Sequence, residues 1–301
     1  MKKSIFDRLL LKKGKPAKTE KEKNINTVPL SDHQMEMLAE KIPHLEPQQF
    51  TCACAQSIGK QRDHNEDTIF SLSIAVGGET TSFPLGLFIV ADGMGGHQYG
   101  EVASATAART LAGSLMKHFL PYLVNPSNGM QDPIQEMMRT AINEAQQAVM
   151  KAAPGSGTTL TAALVLGQQV TIGHVGDSRA YAIHHGGGEA MTRDHSLVKR
   201  LEELGQISSA EAAVHPQRNV LYRALGQGEV LEPDIFTAPF PQTGTMLLCS
   251  DGLWSVLSDT NIFNLVTNGK DLQSSCQTLV AAANEAGGPD NISVILVQLS
   301  S

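Results

Sequence analysis

The stretch Phe88-Ile89-Val90-Ala91-Asp92-Gly93-Met94-Gly95-Gly96-His97 sets the reading of the whole chain. Its four apolar residues continue a run that begins at Phe83, so residues 83–91 read as a strand. The strand stops on an acid. Asp92 is followed by glycines that let the backbone turn and approach a ligand before a helix starts, and Gly93 is placed to offer its carbonyl. The same order, apolar strand then Asp-Gly, recurs at Met246-Leu247-Leu248-Cys249-Ser250-Asp251-Gly252.

Outward from this stretch, an alternating segment begins at Thr51. Two long helices follow the glycines. The first, over about 100–119, carries Ala103, Ala107, Leu111, Leu115 and Phe119 on one face; the second, over about 133–152, carries Ile134, Met138, Ala141, Ala145 and Val149. Asp132 is expected to cap the second, with Pro133 at its first position and Gln135 completing a capping box. Strands over 158–166, 169–175 and 179–184, joined at Gly167-Gln168 and Gly176-Asp177 and closed by a Gly186–Gly188 turn, form a hairpin meander. A short helix near 196–204 and an irregular stretch over 206–226 come next. Strands near 233–237 and 245–249, helices near 259–267 and 271–286, and a last strand, Ile292–Leu299, complete the body. Helices grouped between hairpin-connected strands imply an α+β layered fold.

Acids fall at the ends of these strands: Asp67 after Glu66, Asp92, Asp177, Asp251 and Asp290. One acid at one turn satisfies local backbone donors. Five, if the strand ends converge, would repel by a few kcal/mol per pair at ~4 Å and an effective dielectric of ~20, which bound cations relieve. All-oxygen donors select hard ions such as Mg²⁺ or Mn²⁺.

Composition narrows the field. The chain has 301 residues and a net charge of −7, and glycine with the apolar types makes up about half of it, which excludes disorder throughout. Four cysteines, at 52, 54, 249 and 276, match neither a disulfide framework nor a Cys-x-x-Cys zinc site and predict reduced thiols in a cytoplasm. Residues 1–30 carry nine Lys/Arg against three Asp/Glu, leaving an acidic remainder that disfavours nucleic acid as a partner. Residues 1–48 read as a basic extension with a short helix near 31–42, and 49–301 as the body. Ile5, Phe6, Leu9 and Leu10 have the spacing of one amphipathic turn suited to a membrane surface or a partner. Asp7, Arg8 and Lys12 interrupt any apolar core of a secretory signal, and no apolar run reaches the roughly 20 residues of a membrane span.

In chain order, Arg62-x-x-Asn65-Glu66-Asp67, Asp92-Gly93-Met94-Gly95-Gly96-His97, Gly157-Thr158-Thr159, Gly176-Asp177-Ser178-Arg179, Arg223-Ala224-Leu225-Gly226, Ser250-Asp251-Gly252-Leu253 and Gly288-Pro289-Asp290-Asn291 resemble the motifs of the metal-dependent type-2C protein serine/threonine phosphatases, bacterial branch. The likeness covers about residues 51–299. It implies a four-layer α-β-β-α sandwich, two antiparallel sheets flanked by helix pairs, with a two-metal cleft at one edge. By this resemblance Asp92 bridges two Mn²⁺ or Mg²⁺ ions, and Asp251 and Asp290 complete one site. The Gly93 carbonyl and the Glu66-Asp67 pair serve the other, with Asp67 the closer ligand, and Asp177 holds a third, weaker ion. Arg62 matches the phosphate-binding arginine, whose planar fork grips two oxygens where lysine cannot. Gly95, Gly96, His97 and Asn291 support the site, and a flap over 206–226, including His215 and Arg218, stands beside it. The implied reaction is hydrolysis of phosphoserine and phosphothreonine on proteins by a metal-activated water, opposing a serine/threonine kinase.

One departure concerns the leaving-group proton. Many eukaryotic members carry a histidine two residues after the bridging aspartate, where this chain has Met94. Bound water, His97, His195 or His215 remain as sources; His97 otherwise orients the helix start, and Asp194-His195 anchors a turn. Competing readings are weaker. Cys249 closes an apolar strand and lacks the arginine-ended loop of a cysteine phosphatase, and Gly155-Ser156-Gly157-Thr158-Thr159 lacks the lysine of a P-loop. A metal-dependent nuclease conflicts with the acidic body. A catalytically silent phosphoprotein-binding module conflicts with the full acid set.

Overall fold

The computed structural model describes residues 48–76, 83–95, 99–124, 132–228 and 231–299. The chain divides into a unit ending at Glu46 and one beginning at Pro47. The helix expected near 31–42, together with Gly96 and His97, lies outside the described residues.

In chain order, β1 (Phe50–Ser57), β2 (Thr68–Val76) and β3 (Phe83–Ala91) precede a two-residue strand, β4 (Gly93–Met94), and two long helices, α1 (Tyr99–Val124) and α2 (Ile134–Ala152). The meander is β5 (Gly157–Thr158), β6 (Leu160–Leu166), β7 (Gln169–Val175), β8 (Arg179–His184) and β9 (Gly187–Ala190). Two short helices, α3 (Leu197–Glu203) and α4 (Ser209–Ala213), come before β10 (Asp234–Pro239) and β11 (Thr245–Cys249). The chain closes with α5 (Asp251–Trp254), α6 (Asp259–Thr267), α7 (Leu272–Glu285) and β12 (Ile292–Leu299). Five strands make one sheet, β1-β12-β11-β8-β9, and five a second, β10-β7-β6-β3-β2; their neighbours all pair antiparallel.

Three apolar layers explain why the central strands read as unbroken hydrophobic runs rather than alternations. Along β3, Leu85, Leu87, Ile89 and Ala91 pack against α1 and α2, while Phe88 and Val90 point to the space between the sheets. On the other sheet, Leu247, Cys249, Val294 and Leu296 pack against α6 and α7, while Met246, Leu248, Ile295 and Val297 meet Phe88 and Val90 between the sheets. Helix pair, sheet, sheet, helix pair is therefore the four-layer sandwich. Cys249 is a buried core thiol, its pKa raised by burial, and all four cysteines are free.

Local departures from the sequence reading have local causes. Helix α2 is capped by Pro133, not Asp132, with no side-chain cap bond. The backbone NH groups of Glu136 and Met137 donate to the Pro133 carbonyl instead, and Gln135 Nε2 donates to Thr237 Oγ1 at 3.2 Å. Helix α1 runs a turn past its expected end with Pro121 inside it. The strand expected over 158–166 breaks at Thr159, which bonds to Asp92 rather than continuing a ladder. β9 begins within the glycines read as a turn, because its ladder is made by backbone alone. Among the described residues, no helix is long and apolar enough to cross a membrane.

Adjacent residues of α1 test the layering. Phe119 is 1% exposed and Leu120 is 50% exposed. Phe119→Ala is expected to cost about 3–5 kcal/mol through the cavity it leaves, and Leu120→Ala less than ~0.5 kcal/mol, both read by chemical denaturation. Equal effects would refute the packing described.

Candidate active site

Strand register brings the acids together. Thr68 stands opposite Ala91, which sets Asp67 and Asp92 side by side at one end of the second sheet. In the first sheet Ser57 pairs with Ile292, and Cys249 pairs with both Val294 and Arg179. The residues just beyond those pairs, Asp290, Asp251 and Asp177, therefore emerge at the same end. Asp92, Asp177, Asp251, Asp290, Glu66 and Arg62 line one cavity of about 670 Å³, with Gly93 and Gly95 in its wall.

Each acid is held by its backbone. The Asp92 NH donates to Thr159 Oγ1 at 2.9 Å, and its carbonyl accepts from the Thr159 NH at 2.8 Å and from Thr158 Oγ1 at 2.9 Å. The Glu66 carbonyl accepts from Ser104 Oγ of α1 at 2.6 Å. Asn291 then ties down the whole loop over 58–66. Its Oδ1 accepts from the Glu66 NH at 2.8 Å, and its Nδ2 donates to the carbonyls of Ile58 at 2.8 Å and His64 at 2.9 Å. Gly93 has no room for a side chain: a Cβ would collide with the Gly100 carbonyl and sit 2.6 Å from that of Glu66. The corner at Asp177 is braced from behind by Trp254 Nε1, which donates to the Asp177 carbonyl at 3.0 Å. Arg179 lies over the Trp254 ring at 3.7 Å and forms a two-pronged bond to Asp194, at 2.9 and 2.7 Å.

The electrostatics are those of uncompensated charge. Asp67 Oδ2 accepts from Ser250 Oγ and Ser293 Oγ, each at 2.7 Å; its Oδ1, with Glu66 Oε1 and Asp251 Oδ1, is buried without a hydrogen-bond partner. Burial, chiefly, raises the Asp67 pKa to about 7 against the pull of the two serines. Burial and then Asp290 raise Asp251 to about 6, with a bond from Asp92 opposing. Asp92 is pushed well above the carboxylate range by burial and then by Asp67, Asp251 and Asp177. Burial and Asp251 do the same to Asp177, with Arg179 opposing. Asp290 is matched by Arg62, whose Nη2 bonds its Oδ2 at 2.7 Å. The acids ring the cavity without closing on a point: among the described residues no three His, Cys, Asp or Glu side chains stand as a ready ion cage. Orphaned buried oxygens and raised pKa values nevertheless fit a divalent cation, which would satisfy both.

The structure separates the remaining expected residues. His195 is buried behind the Asp177 corner, its Nδ1 accepting from the Gly176 NH at 3.1 Å; it anchors that turn and does not line the cavity. The flap contributes Asn219 and Leu221 to the cavity rather than His215 or Arg218, and His215 Nδ1 accepts from the Gln217 NH at 3.1 Å within its own turn. Among the described residues the imidazole bordering the cavity is that of His64, 3.4 Å from Glu66 Oε1. It occupies an unspecified place in the Arg62-x-x-Asn65 motif, so motif reading passed over it. Ser250 stands in the Ser250-Asp251-Gly252-Leu253 motif with no role assigned to it, and Ser293 carries no signal, because serine at a strand end is ordinarily local.

Comparison with known proteins agrees with this geometry. The profile of the Protein phosphatase 2C family matches residues 55–292. The Serine/threonine phosphatase stp of Listeria welshimeri is 37% identical over 248 residues, 80% of this chain and 92% of that protein. The crystal structure of the Mycobacterium tuberculosis serine/threonine phosphatase PstP/Ppp superposes with a TM-score of 0.71 at 30% identity, covering 84% of this chain and 100% of that one. A structure of the PstP catalytic domain described as in complex with two manganese ions gives a TM-score of 0.68 at 28% identity, over 84% of this chain and 100% of that one. A four-layer sandwich, an acid-lined edge and these likenesses converge: the chain belongs to the protein phosphatase 2C family, in its bacterial branch, and is a protein serine/threonine phosphatase.

Proposed function

We propose that the cavity hydrolyses phosphoserine and phosphothreonine on proteins with the help of two divalent cations, Mn²⁺ or Mg²⁺. The observation that carries this reading is the set of buried oxygens without a hydrogen bond on Glu66, Asp67 and Asp251, two of these acids lining one cavity with Arg62. Asp92 would be shared between the ions, with Asp251 and Asp290 on one side and Glu66, Asp67 and the Gly93 carbonyl on the other. Asp177 would hold a third, weaker ion. Of the Glu66-Asp67 pair, Glu66 borders the cavity and Asp67 spends one oxygen on two serines, which favours Glu66 for direct contact and reverses the order expected from sequence. Bound there, divalent ions supply neutralising charge and a water acidic enough to attack phosphorus near neutral pH.

The chain's own residues do the rest. Arg62 is half exposed at the rim and donates two parallel N–H groups to phosphate oxygens, exchanging its bond to Asp290 for the substrate. Asn291 fixes the loop that carries both Arg62 and Glu66. Thr158 and Thr159 fix the backbone on either side of Asp92. Four free thiols suit a reducing cytoplasm, where the substrates would be products of a serine/threonine kinase. The silent-module alternative has no support in an acid set that is complete.

Release of phosphate from a phosphothreonine peptide should require Mn²⁺ or Mg²⁺ and stop with chelator; turnover indifferent to both would overturn the metal assignment. Asp92→Asn and Asp251→Asn should lower kcat at least 100-fold, and activity within tenfold of wild type would exclude the ligand roles. In chelator the same variants should melt above wild type, because one buried like charge is gone. Asn291→Ala should raise KM for p-nitrophenyl phosphate roughly tenfold by freeing the Arg62 loop, and lower the unfolding free energy by about 1–3 kcal/mol; an unchanged KM would show that Asn291 does not position Arg62.

A further inference from the structure

A second cavity, of about 360 Å³, is lined by Arg193, His195, Arg200, Tyr222, Arg223 and Asp234. Three guanidinium groups thus face one space on a protein of net charge −7. Their compensation is uneven: of three carboxylates, two, Glu232 and Asp234, lie against Arg223 and one, Glu203, serves the other two. Arg193 and Arg200 share a single carboxylate, Glu203, bonded to the first and 3.7 Å from the second. Arg223 meets Asp234 at 3.1 Å, Glu232 at 3.8 Å and His195 Nε2 at 3.3 Å. The side chains of Arg193 and Arg200 are 53% and 55% exposed, and each offers the fork that takes a carboxylate two bonds at a time.

This space shares two walls with the catalytic cavity. Leu221 lines the catalytic side and Tyr222, the next residue, lines the other; the Tyr222 NH bonds the His195 carbonyl at 2.9 Å, which keeps the stretch in place. His195 in turn accepts from the Gly176 NH, one residue before Asp177. Adjacent residues of one stretch, Leu221 and Tyr222, thus border the two cavities, and successive residues of an extended polypeptide are spaced about 3.3–3.6 Å apart.

We propose that the arginine-lined cavity is a subsite for an acidic side chain of the substrate polypeptide, a few residues from the phosphorylated one. The proposal rests on the phosphatase reading and names a preference within it. An otherwise acidic body repels acidic segments, so a local cluster of guanidinium groups makes acidity near the target residue favourable instead of costly.

The test compares hydrolysis of phosphothreonine peptides carrying glutamate or alanine two to five residues to either side, by the Mn²⁺-supplied full chain and by its Arg193→Ala/Arg200→Ala double variant. In wild type, glutamate at one of these positions should lower KM about tenfold with kcat unchanged. The double variant should lose that preference and keep p-nitrophenyl phosphate turnover, which also reports that it is folded. Equal KM values for glutamate and alanine peptides in wild type, or a preference that survives in the variant, would overturn the subsite. So would inhibition by inorganic sulfate that depends on Arg193 and Arg200 while the peptides remain equal, which assigns the cavity to a free anion. Absence of p-nitrophenyl phosphate turnover in wild type would remove the parent reading, and the subsite with it.

Discussion

Repulsion among carboxylates that the backbone holds at one sheet end governs the rest of the molecule. Nothing about Asp92 or Asp251 suits such a position by itself: burial first, and then the neighbouring carboxylates, drive their pKa values up. The sandwich tolerates them because pressure from three apolar layers fixes the strands, and the strands fix the acids. Serines, threonines and Asn291 do the fine placement by bonding backbone and the inner acid. Stability is thus spent locally on a site whose natural complement is a cation.

The same economy explains the braces behind the cavity. Arg179 is committed to Asp194 and stacked on Trp254, so it supports the Asp177 corner from behind and only partly offsets that carboxyl. Arg62 is the opposite case: its bond to Asp290 lies at the half-exposed rim, where water competes and the pairing is weak enough to exchange. Two arginines near one set of acids therefore have different work, decided by burial.

What could be read in the sequence follows physical range. β3 and β12 are legible to the residue because apolar runs meet Asp92 and Asn291, and β7 and β8 because the glycine turns around them bound the meander. β9 and α5 were not: one is glycine-rich, and the other is a single turn beginning at Asp251. Pro133 took the cap position of α2 because the backbone bonds it accepts need no side chain from Asp132. The acids of the cavity announced themselves by sitting between apolar strands and glycines. Their partners did not, since Ser250 and Ser293 reach Asp67 from 183 and 226 residues away. His64 lay inside a recognised motif at a place the motif leaves unspecified, and Asn219 and Leu221 lie in a flap whose course no periodicity betrays.

The pairing of β1 with β12 joins the beginning of the folded body to its end, Phe50 opposite Leu299, and the loop after β1 is pinned by Asn291, just before β12. During synthesis on the ribosome, Arg62 and Glu66 emerge more than two hundred residues ahead of the strand and side chain that fix them. A nascent or prematurely terminated chain accordingly has the early motifs without the late strand and side chain that hold them in place.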